Sequence, residues 1–263
     1  MALRVLVTRP AAQAHGWVER LRAQGLDAAA LPLLAIEGMA DTAHLAEAWQ
    51  ALHRHALVMF VSPNAVTHFF AARPEGAAWP PVLRAAATGP GTVEALVAAG
   101  VPRARCVAPE VPPFDSGALW ARLHGEAWAG RSVLIVRGDG GRDEFAQALA
   151  QAGAQVQAVA AYRRTVPHWS EDERALCDAA LGAPEAHLWL LSSGEALGHL
   201  ATLVPGVQWR ASRALASHPR IAERARALGF GQVIEAPPTL ESVVSALRSQ
   251  QWGEGRSVQS PPP

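Results

Sequence analysis

The sequence has little cysteine and no long apolar run. Of 263 residues only Cys106 and Cys177 are cysteines, and they have neither a metal-binding spacing nor a partner motif. Such sparse cysteine usage is typical of the reducing cytoplasm. The N-terminus, MALRVLVTRP, lacks the charged-then-apolar pattern of a signal peptide, and no apolar run is long enough to span a membrane. We therefore expect a cytoplasmic, soluble protein with no membrane partner.

The chain also lacks an excess of either charge. Its 23 Lys and Arg residues balance 23 Asp and Glu residues, which gives a formal net charge of zero. A nucleic-acid-binding protein needs a basic surface, so this balance argues against a nucleic-acid partner. Half of the residues are hydrophobic, which is enough to form the cores of two modest domains.

The common catalytic and cofactor motifs are absent. The run Gly138-Asp139-Gly140-Gly141 has neither the lysine nor the spacing of a P-loop. Gly89-Pro90-Gly91 lacks the third glycine of a dinucleotide fingerprint. No serine stands in a Gly-x-Ser-x-Gly elbow. The ten histidines form no metal-type pair, so we expect no metal site.

One stretch past the middle of the chain is typical of a βαβ unit. An apolar strand at Ser132–Val136 leads into a glycine-rich polar turn that begins at Arg137. A helix follows and stops at Gly153. A second strand, Gln155–Ala161, then leads into Tyr162, the only tyrosine in the chain. The N-terminus carries the same pattern.

The rest of the chain repeats this alternation of short apolar strands and helices. Val5–Arg9 aligns with Val133–Arg137, and Leu57–Ser62 aligns with Leu188–Ser193, at offsets close to 130 residues. Two explanations stay open: a duplicated α/β domain, or the general likeness of βα units. Either one predicts parallel sheets with helices on both faces. Ser116 is predicted to cap a further helix that runs to about Trp128.

Polar residues follow the strand ends, where ligands bind in open parallel sheets. The loops contain hydroxyls, small residues and the N-termini of helices, whose unpaired N–H groups suit anions. Each serine or threonine there has a second interpretation, as a helix N-cap. Together the loops predict an anion-binding cleft. The candidate substrate-binding residues in them are Arg9, Ser62, Asn64, Thr88, Gly89, Arg137, Gly138, Ser192, Ser193, His218 and Pro219.

An ordered set of short motifs resembles the uroporphyrinogen-III synthase family. The set comprises VLVTRP, LLAIE, the strand into Ser62-Pro63-Asn64-Ala65-Val66, Thr88-Gly89-Pro90-Gly91-Thr92, VLIVRGDGGR, AAYRRT, LLSSGEAL and SHPRIAERARALGF. Each motif is weak alone, but their order along residues 3–250 is specific. One loop departs from the pattern: Ser217-His218-Pro219-Arg220 stands where many relatives resemble the Gly-Pro-x-Thr form of the first half.

The resemblance implies an α/β fold of two flavodoxin-like parallel-sheet domains joined by a two-stranded antiparallel connector. The first domain is discontinuous in such proteins. Transferred to this chain, residues 1–35 and 166–250 form domain 1 and residues 37–163 form domain 2. The remaining residues, 251–263, have no apolar period and are expected to be a disordered tail.

The implied activity is that of a lyase. It would cyclise hydroxymethylbilane, a linear tetrapyrrole with eight carboxylates, to uroporphyrinogen III in haem biosynthesis. Water leaves ring A, and ring D is inverted through a spiro intermediate. The resemblance implies no cofactor and a monomer.

By the same resemblance the general acid is Tyr162, because a tyrosine follows the connector strand in the family. The alternative is a tyrosine that only packs at a domain junction. Arg9, Arg137 and Arg142 are candidates to pair with substrate carboxylates, or else ordinary surface arginines. His218 and Arg220 are candidates to replace the hydroxyls of the loop that departs from the pattern.

Two other functions fit the same sequence. One is a non-catalytic two-domain α/β protein that binds an anionic small molecule without turning it over. The other is an interaction module, which the proline-rich C-terminal residues would favour. Turnover of hydroxymethylbilane separates both from the enzyme.

Overall fold

The computed structural model describes residues 3–140 and 144–249, and these fall into two compact units. One unit takes the described parts of Met1–Ala35 and Thr165–Pro263, and the other is Ile36–Arg164. The predicted domain bounds, 1–35 with 166–250 and 37–163, stay a prediction, because compactness alone does not show that a unit folds by itself. The expected tail, residues 251–263, lies outside the described residues.

Strands and helices alternate along the chain. The strands are β1 (Arg4–Val7), β2 (Asp27–Ala30), β3 (Ala35–Gly38), β4 (Leu57–Phe60), β5 (Arg84–Ala87), β6 (Cys106–Val107), β7 (Ser132–Gly138), β8 (Gln155–Thr165), β9 (His187–Leu191), β10 (Arg213–Ala216) and β11 (Gln232–Glu235). The helices are α1 (Ala11–Ala23), α2 (Ala43–Gln50), α3 (Pro63–Ala71), α4 (Pro90–Ala98), α5 (Ser116–Leu123), α6 (Glu144–Gln151), α7 (Glu171–Gly182), α8 (Gly194–Leu203), α9 (Pro219–Leu228) and α10 (Leu240–Ser249). The expected α/β class is confirmed.

Each unit contains one sheet, and the two sheets have related strand orders. The first has the order β11-β10-β9-β1-β2 and the second has the order β3-β8-β7-β4-β5-β6. The pairs β1–β2, β1–β9, β9–β10 and β10–β11 are parallel, as are β7–β8, β4–β7, β4–β5 and β5–β6. Numbered along the chain within each unit and without β3, the first sheet has the flavodoxin-like order 2-1-3-4-5 and the second has the order 3-2-1-4-5. The two orders become the same when β7 and β8 are counted before β4–β6.

The segments that align in sequence occupy equivalent strands in the two sheets. β1 corresponds to β7, β2 to β8, β9 to β4, and β10 to β5. Each sequence repeat is therefore divided between the units. The first repeat gives β1 and β2 to one sheet and β4–β6 to the other, and the second repeat does the reverse. This exchange is what makes the first unit discontinuous.

Both faces of the second sheet are buried. Val58 and Phe60 of β4 pack with Leu134 and Val136 of β7 in one apolar cluster. The alternate residues of the same strands, such as Leu57 and Met59, pack on the opposite face with α5 and α6. Because successive side chains of a strand point to opposite faces, such two-sided burial requires continuous apolar strands. It leaves the ends of the strands as the place for polar chemistry.

Three predicted boundaries were wrong. β7 extends through Arg137 and Gly138, which were predicted to start the turn. β8 continues to Thr165, so Tyr162 lies inside the strand and not after it. α5 begins at Ser116, and its cap is the Asp115 carboxylate, which accepts a hydrogen bond from the Ala118 amide. Strand pairing and helix capping decided these boundaries, although glycine and serine favour turns and caps in the sequence.

Three expected absences can be compared with the described part of the chain. Its helices include none that is long and apolar enough to cross a membrane. Within residues 3–140 and 144–249 no group of three side chains is placed to bind a metal ion. Both cysteines are free thiols, and burial raises the pKa of Cys177 to about 11, so that thiol stays protonated near neutral pH.

Candidate functional site

A cavity of about 260 Å³ lies at the carboxyl ends of strands in the second unit. Side chains from the ends of β4, β5, β7 and β8 reach it, together with residues that precede α5 and begin α6. This edge of a parallel sheet is where ligands bind in such folds. The lining residues are Met59, Val61, Ser62, Thr88, Phe114, Asp115, Ser116, Ile135, Arg137, Gly138, Gly140, Phe145, Ala146, Ala158, Tyr162 and Arg164.

Tyr162 lines this cavity, although the residue is only 1% exposed. The Tyr162 hydroxyl oxygen lies 3.1 Å from Ser62 Oγ, and either oxygen can donate. Arg164 Nη2 donates to the same phenol oxygen at 3.3 Å, with the guanidinium 5.5 Å from the ring centroid. A buried phenol with two polar partners is held in one orientation.

An irregularity in β8 sets the direction of the Tyr162 side chain. Arg137 pairs with Ala160, but the next residue, Gly138, pairs with Tyr162, so one residue of β8 is left over. Such bulges redirect side chains and are over-represented near active sites. The Asp139 amide donates to the Tyr162 carbonyl at 2.7 Å and holds this register.

Gly138 makes room for the phenol ring. A Cβ built on Gly138 would lie 2.8 Å from Tyr162 Cε2 and Cζ and 3.2 Å from the hydroxyl oxygen. Atoms cannot approach this closely, so a side chain at Gly138 would push the ring away. Gly138 thus belongs to the site through its lack of a side chain. This role was not part of the sequence prediction, which treated Gly138 as a loop residue.

Ser62 has both of the roles that the sequence allowed. Its Oγ accepts a hydrogen bond from the Ala65 amide at 3.2 Å and caps α3. The same hydroxyl lines the cavity and contacts the phenol of Tyr162. Since the oxygen already accepts the amide proton, its own proton is free to point toward the phenol. Thr88 also lines the cavity, just after β5.

The charges around the cavity favour an anion. Arg137 and Arg164 both line it. The sequence contains no lysine, so its strong cations are guanidiniums, which match carboxylates with two parallel hydrogen bonds. The Asp115 carboxylate is also in the lining but is engaged as the cap of α5. His68 stacks on Tyr162 at 5.9 Å between ring centroids, and burial lowers the pKa of His68, which keeps that ring neutral near pH 7.

Other candidate residues of the second unit lie outside the cavity lining or outside the described residues. Asn64 lies in the first turn of α3 and Gly89 caps α4, and neither lines the cavity. Arg142 lies outside the described residues. Sequence reasoning missed Phe114, which belongs to no helical or strand-like pattern, and treated Phe145 only as an apolar position of a helix. Arg164 could have been predicted as a site residue. It lies two residues after Tyr162 in the same strand, and such residues share a face of the sheet.

The first unit holds the other predicted site residues at its own strand ends. Arg9 follows β1 and its guanidinium lies 4.7 Å from the Trp17 ring centroid. Within the described residues its buried Nε has no hydrogen-bond partner, and burial, followed by repulsion from Arg20, lowers the pKa of Arg9. A partly desolvated guanidinium binds a carboxylate strongly when one arrives.

Two loops of the first unit end in helix caps. Ser193 Oγ accepts from the Ala196 amide at 3.3 Å, and His218 Nδ1 accepts from the Arg220 amide at 3.2 Å. Both are therefore N-caps, which was the alternative interpretation of these loop residues. Pro219 is the exposed first residue of α9, and Ser192 lies between β9 and α8.

Comparison with known proteins gives one consistent family. The family model described as uroporphyrinogen-III synthase HemD matches residues 16–245. The uroporphyrinogen-III synthase of Salmonella typhimurium is 30% identical over 239 residues, which is 87% of this chain and 93% of that protein. The Escherichia coli enzyme of the same name is 29% identical over 236 residues, with the same coverage of each chain.

Solved structures show the same fold. A mutant uroporphyrinogen III synthase from Thermus thermophilus superposes with a TM-score of 0.59 at 18% identity, covering 94% of this chain and 98% of that one. The Helicobacter pylori uroporphyrinogen-III synthetase gives 0.59 at 15% identity, with 95% and 99% covered. At such low identity these likenesses support the fold, and the family model and sequence relatives carry the assignment.

Proposed function

The chain belongs to the uroporphyrinogen-III synthase family, and we propose that the cavity around Tyr162 carries out the proton transfer of that family's reaction. The enzyme is a lyase of haem biosynthesis: it cyclises hydroxymethylbilane to uroporphyrinogen III with loss of water and inversion of ring D. The observation that supports this site is the Tyr162 hydroxyl, held in the cavity between Ser62 Oγ and Arg164 Nη2.

Loss of water from ring A needs an acid, because hydroxide is a poor leaving group. Tyr162 donates its proton to the substrate hydroxyl as the carbon–oxygen bond breaks with both electrons on oxygen. The pyrrole nitrogen of ring A supplies the electron pair that replaces them and gives an azafulvene once the N–H proton is lost to the phenolate. A phenol is neutral before this step, so it adds no negative charge beside a substrate with eight carboxylates.

Ser62 and Arg164 assist by binding the phenol oxygen. As the proton leaves, negative charge develops on the phenol oxygen. The Arg164 guanidinium at 3.3 Å and the Ser62 hydroxyl at 3.1 Å are placed to stabilise that charge by donating hydrogen bonds. Neither partner has to move for this purpose. The cavity thereby supplies donors where the transition state needs them.

Carboxylate binding is the second part of the proposal. Arg137 lies near the carboxyl end of β7 in the second unit and Arg9 follows β1 in the first unit, and each of these strands is central in its own sheet. Ser192, Ser193, His218 and Pro219 of the first unit, with Asn64, Thr88, Gly89 and Gly138 of the second, are the other proposed substrate-facing residues. The helix N-termini at these positions present N–H groups to carboxylates.

Arg137→Ala is expected to raise KM about 10-fold while kcat changes less than about 3-fold. A charge-assisted hydrogen bond contributes roughly 1.5–3 kcal/mol to binding, and a contact made equally in ground and transition states changes KM alone. Steady-state kinetics with hydroxymethylbilane measure both constants. Arg131→Ala is the matched control, since Arg131 is exposed at the other end of β7. Unchanged kinetics for Arg137→Ala would make Arg137 an ordinary surface residue.

Product analysis tests the reaction itself. Enzymatically prepared hydroxymethylbilane is incubated with the chain, and the III and I isomers are separated after oxidation to porphyrins. We expect the III isomer in excess. The I isomer alone, at the uncatalysed rate, would reject the proposed site and would favour a non-catalytic protein that binds an anionic small molecule.

We also propose that the active form is a cytoplasmic monomer. The support is that the groups of the proposed acid, Tyr162, Ser62 and Arg164, contact one another within one chain. The two free thiols suit a reducing compartment. Sedimentation at the assay concentration is expected to give the mass of one chain, 27.8 kDa. A dimer under these conditions would contradict the proposal.

A further inference from the structure

We propose that the cavity holds ring A of the substrate, the ring that bears the hydroxymethyl group, with the face of that pyrrole stacked on Phe114. The inference rests on the proposed role of Tyr162, because the ring that loses water must present its hydroxyl to the acid. It goes further by naming which part of the tetrapyrrole enters and which side chain recognises it. Phe114 was not among the residues predicted from the sequence.

The size of the cavity selects a fragment of the substrate. Pockets that enclose a drug-sized ligand have volumes of roughly 300–1,000 Å³, and this one has about 260 Å³. It is too small for a tetrapyrrole with eight carboxylates and is suited to one substituted ring. Met59, Ile135 and Phe145 belong to one buried apolar cluster and give the cavity an apolar lining. An uncharged aromatic ring fits such a lining.

Phe114 is the aromatic side chain of the cavity that solvent still reaches. It is 43% exposed, one of the three large hydrophobic side chains exposed in the described residues. Val82 and Val111 are the others, and neither lines the cavity. An exposed aromatic face beside an apolar cavity gains from stacking on a flat ligand.

Gly89 explains how Phe114 reaches this place. A Cβ on Gly89 would lie 3.3 Å from Phe114 Cβ, which is tighter than ordinary van der Waals contact, and 3.7 Å from its Cγ. The backbone of Gly89 is extended, with φ of −164°, a conformation open to any residue. The lack of a side chain at Gly89 therefore serves the close approach of Phe114, and a Cβ there would shift Phe114 by a few tenths of an ångström. This gives the predicted site residue Gly89 a physical role.

The polar lining matches the edge of the same ring. Eight carboxylates on four pyrroles leave two on each ring, and Arg137 and Arg164 both line the cavity. Each guanidinium can donate hydrogen bonds to a carboxylate. Among the described residues, the carboxylate in the lining is that of Asp115, which already accepts a hydrogen bond from the Ala118 amide at 2.8 Å and caps α5. The ring thus has an apolar face for Phe114 and an acidic edge for arginine.

A monopyrrole tests the assignment on the full-length chain. The probe carries one acetate and one propionate but no leaving group, and it is expected to inhibit competitively. Phe114→Ala should weaken this inhibition about 10-fold and raise KM for hydroxymethylbilane by a similar factor, since stacking and burial of one ring contribute about 1.4 kcal/mol. Turnover should change less than about 3-fold. Phe114→Tyr keeps the flat face and should restore parent behaviour.

Two matched controls separate stacking from general loop damage. Val111→Ala removes another exposed apolar side chain from the segment that leads into Phe114 and should change nothing. Gly89→Ala should weaken the probe by displacing Phe114, whereas Gly91→Ala, with its nearest neighbour 4.0 Å away, should not. Equal inhibition of the parent and Phe114→Ala, or no inhibition of the parent, would overturn the inference. Neither result bears on Tyr162, whose role is tested separately by its own substitution.

Discussion

Replacing Tyr162 by phenylalanine is expected to lower the turnover number about 10²-fold and to make the I isomer the main product. General acid catalysis contributes typically 10²–10⁴-fold, and slow unassisted loss of water places this case at the lower end. The azafulvene that does form then closes spontaneously head to tail, without inversion of ring D. Rate and isomer ratio are measured together, by stopping the reaction and separating the oxidised porphyrins.

The fold should survive this substitution. The ring stays in its cavity, and only the hydrogen bonds to Ser62 and Arg164 are lost, which costs about 1 kcal/mol of the free energy of unfolding. Arg163→Gln is the control, because Arg163 is adjacent in β8 but exposed and paired with Glu37. It should retain parent turnover. If Tyr162→Phe also retains it, Tyr162 only packs, and backbone amides at helix N-termini must stabilise the leaving group by hydrogen bonds.

Gly231→Ala is expected to give the largest loss of stability, about 3 kcal/mol of the free energy of unfolding in the first unit. A Cβ at Gly231 would overlap the backbone carbonyl of Arg210, and backbone cannot turn aside as a side chain does. The Gly231 amide also donates to the carbonyls of Trp209 and Ser212. Any shift therefore disturbs the adjacent stack of Trp209 on Phe230, whose centroids are 4.9 Å apart.

Urea unfolding followed by tryptophan fluorescence measures this loss. Gly198→Ala is the matched control: it makes the same chemical change within the exposed part of α8, where nothing lies within 4 Å. There alanine should stabilise by about 0.5–1 kcal/mol, because glycine weakens a helix interior. A Gly231→Ala protein as stable as the parent would mean that the Arg210 segment moves aside at no cost.

The sequence predicted the strands well because buried parallel strands are short continuous apolar runs. β7 begins at Ser132 and β8 at Gln155, as predicted, and the segments at offsets near 130 residues occupy equivalent strands. The predicted strand boundaries were wrong where pairing with a neighbouring strand determines the end of a strand. Tyr162 was placed after β8, since polar residues follow it, but pairing with β7 reaches Tyr162 itself. The strand then continues to Thr165, with β3 as its other neighbour in the sheet. Local composition carries no information about the length of the neighbouring strand.

The site was predictable in part, for a similar reason. The strand-end rule found Ser62, Thr88, Arg137 and Gly138, and these four line the cavity with Tyr162. It could not find Phe114, which approaches through a loop. Nor could it show that Gly138 and Gly89 serve as gaps for Tyr162 and Phe114, because such complementarity joins residues 24 or 25 apart in the chain only after folding. The roles of serine as cap and as ligand overlap at Ser62, so sequence alone could not choose between them.

The exchange of strands between the repeats determines which sheet can be completed first during synthesis. Strands β4–β8 of the second sheet are consecutive along the chain, whereas Arg4 of β1 pairs with His187 of β9. As the chain leaves the ribosome, the middle can fold while β1, α1 and β2 wait for more than a hundred residues with one edge of β1 unpaired. Non-local pairing of this kind slows folding and exposes apolar edges to aggregation. We therefore expect the N-terminal βαβ segment to be the part of the nascent chain most exposed to aggregation.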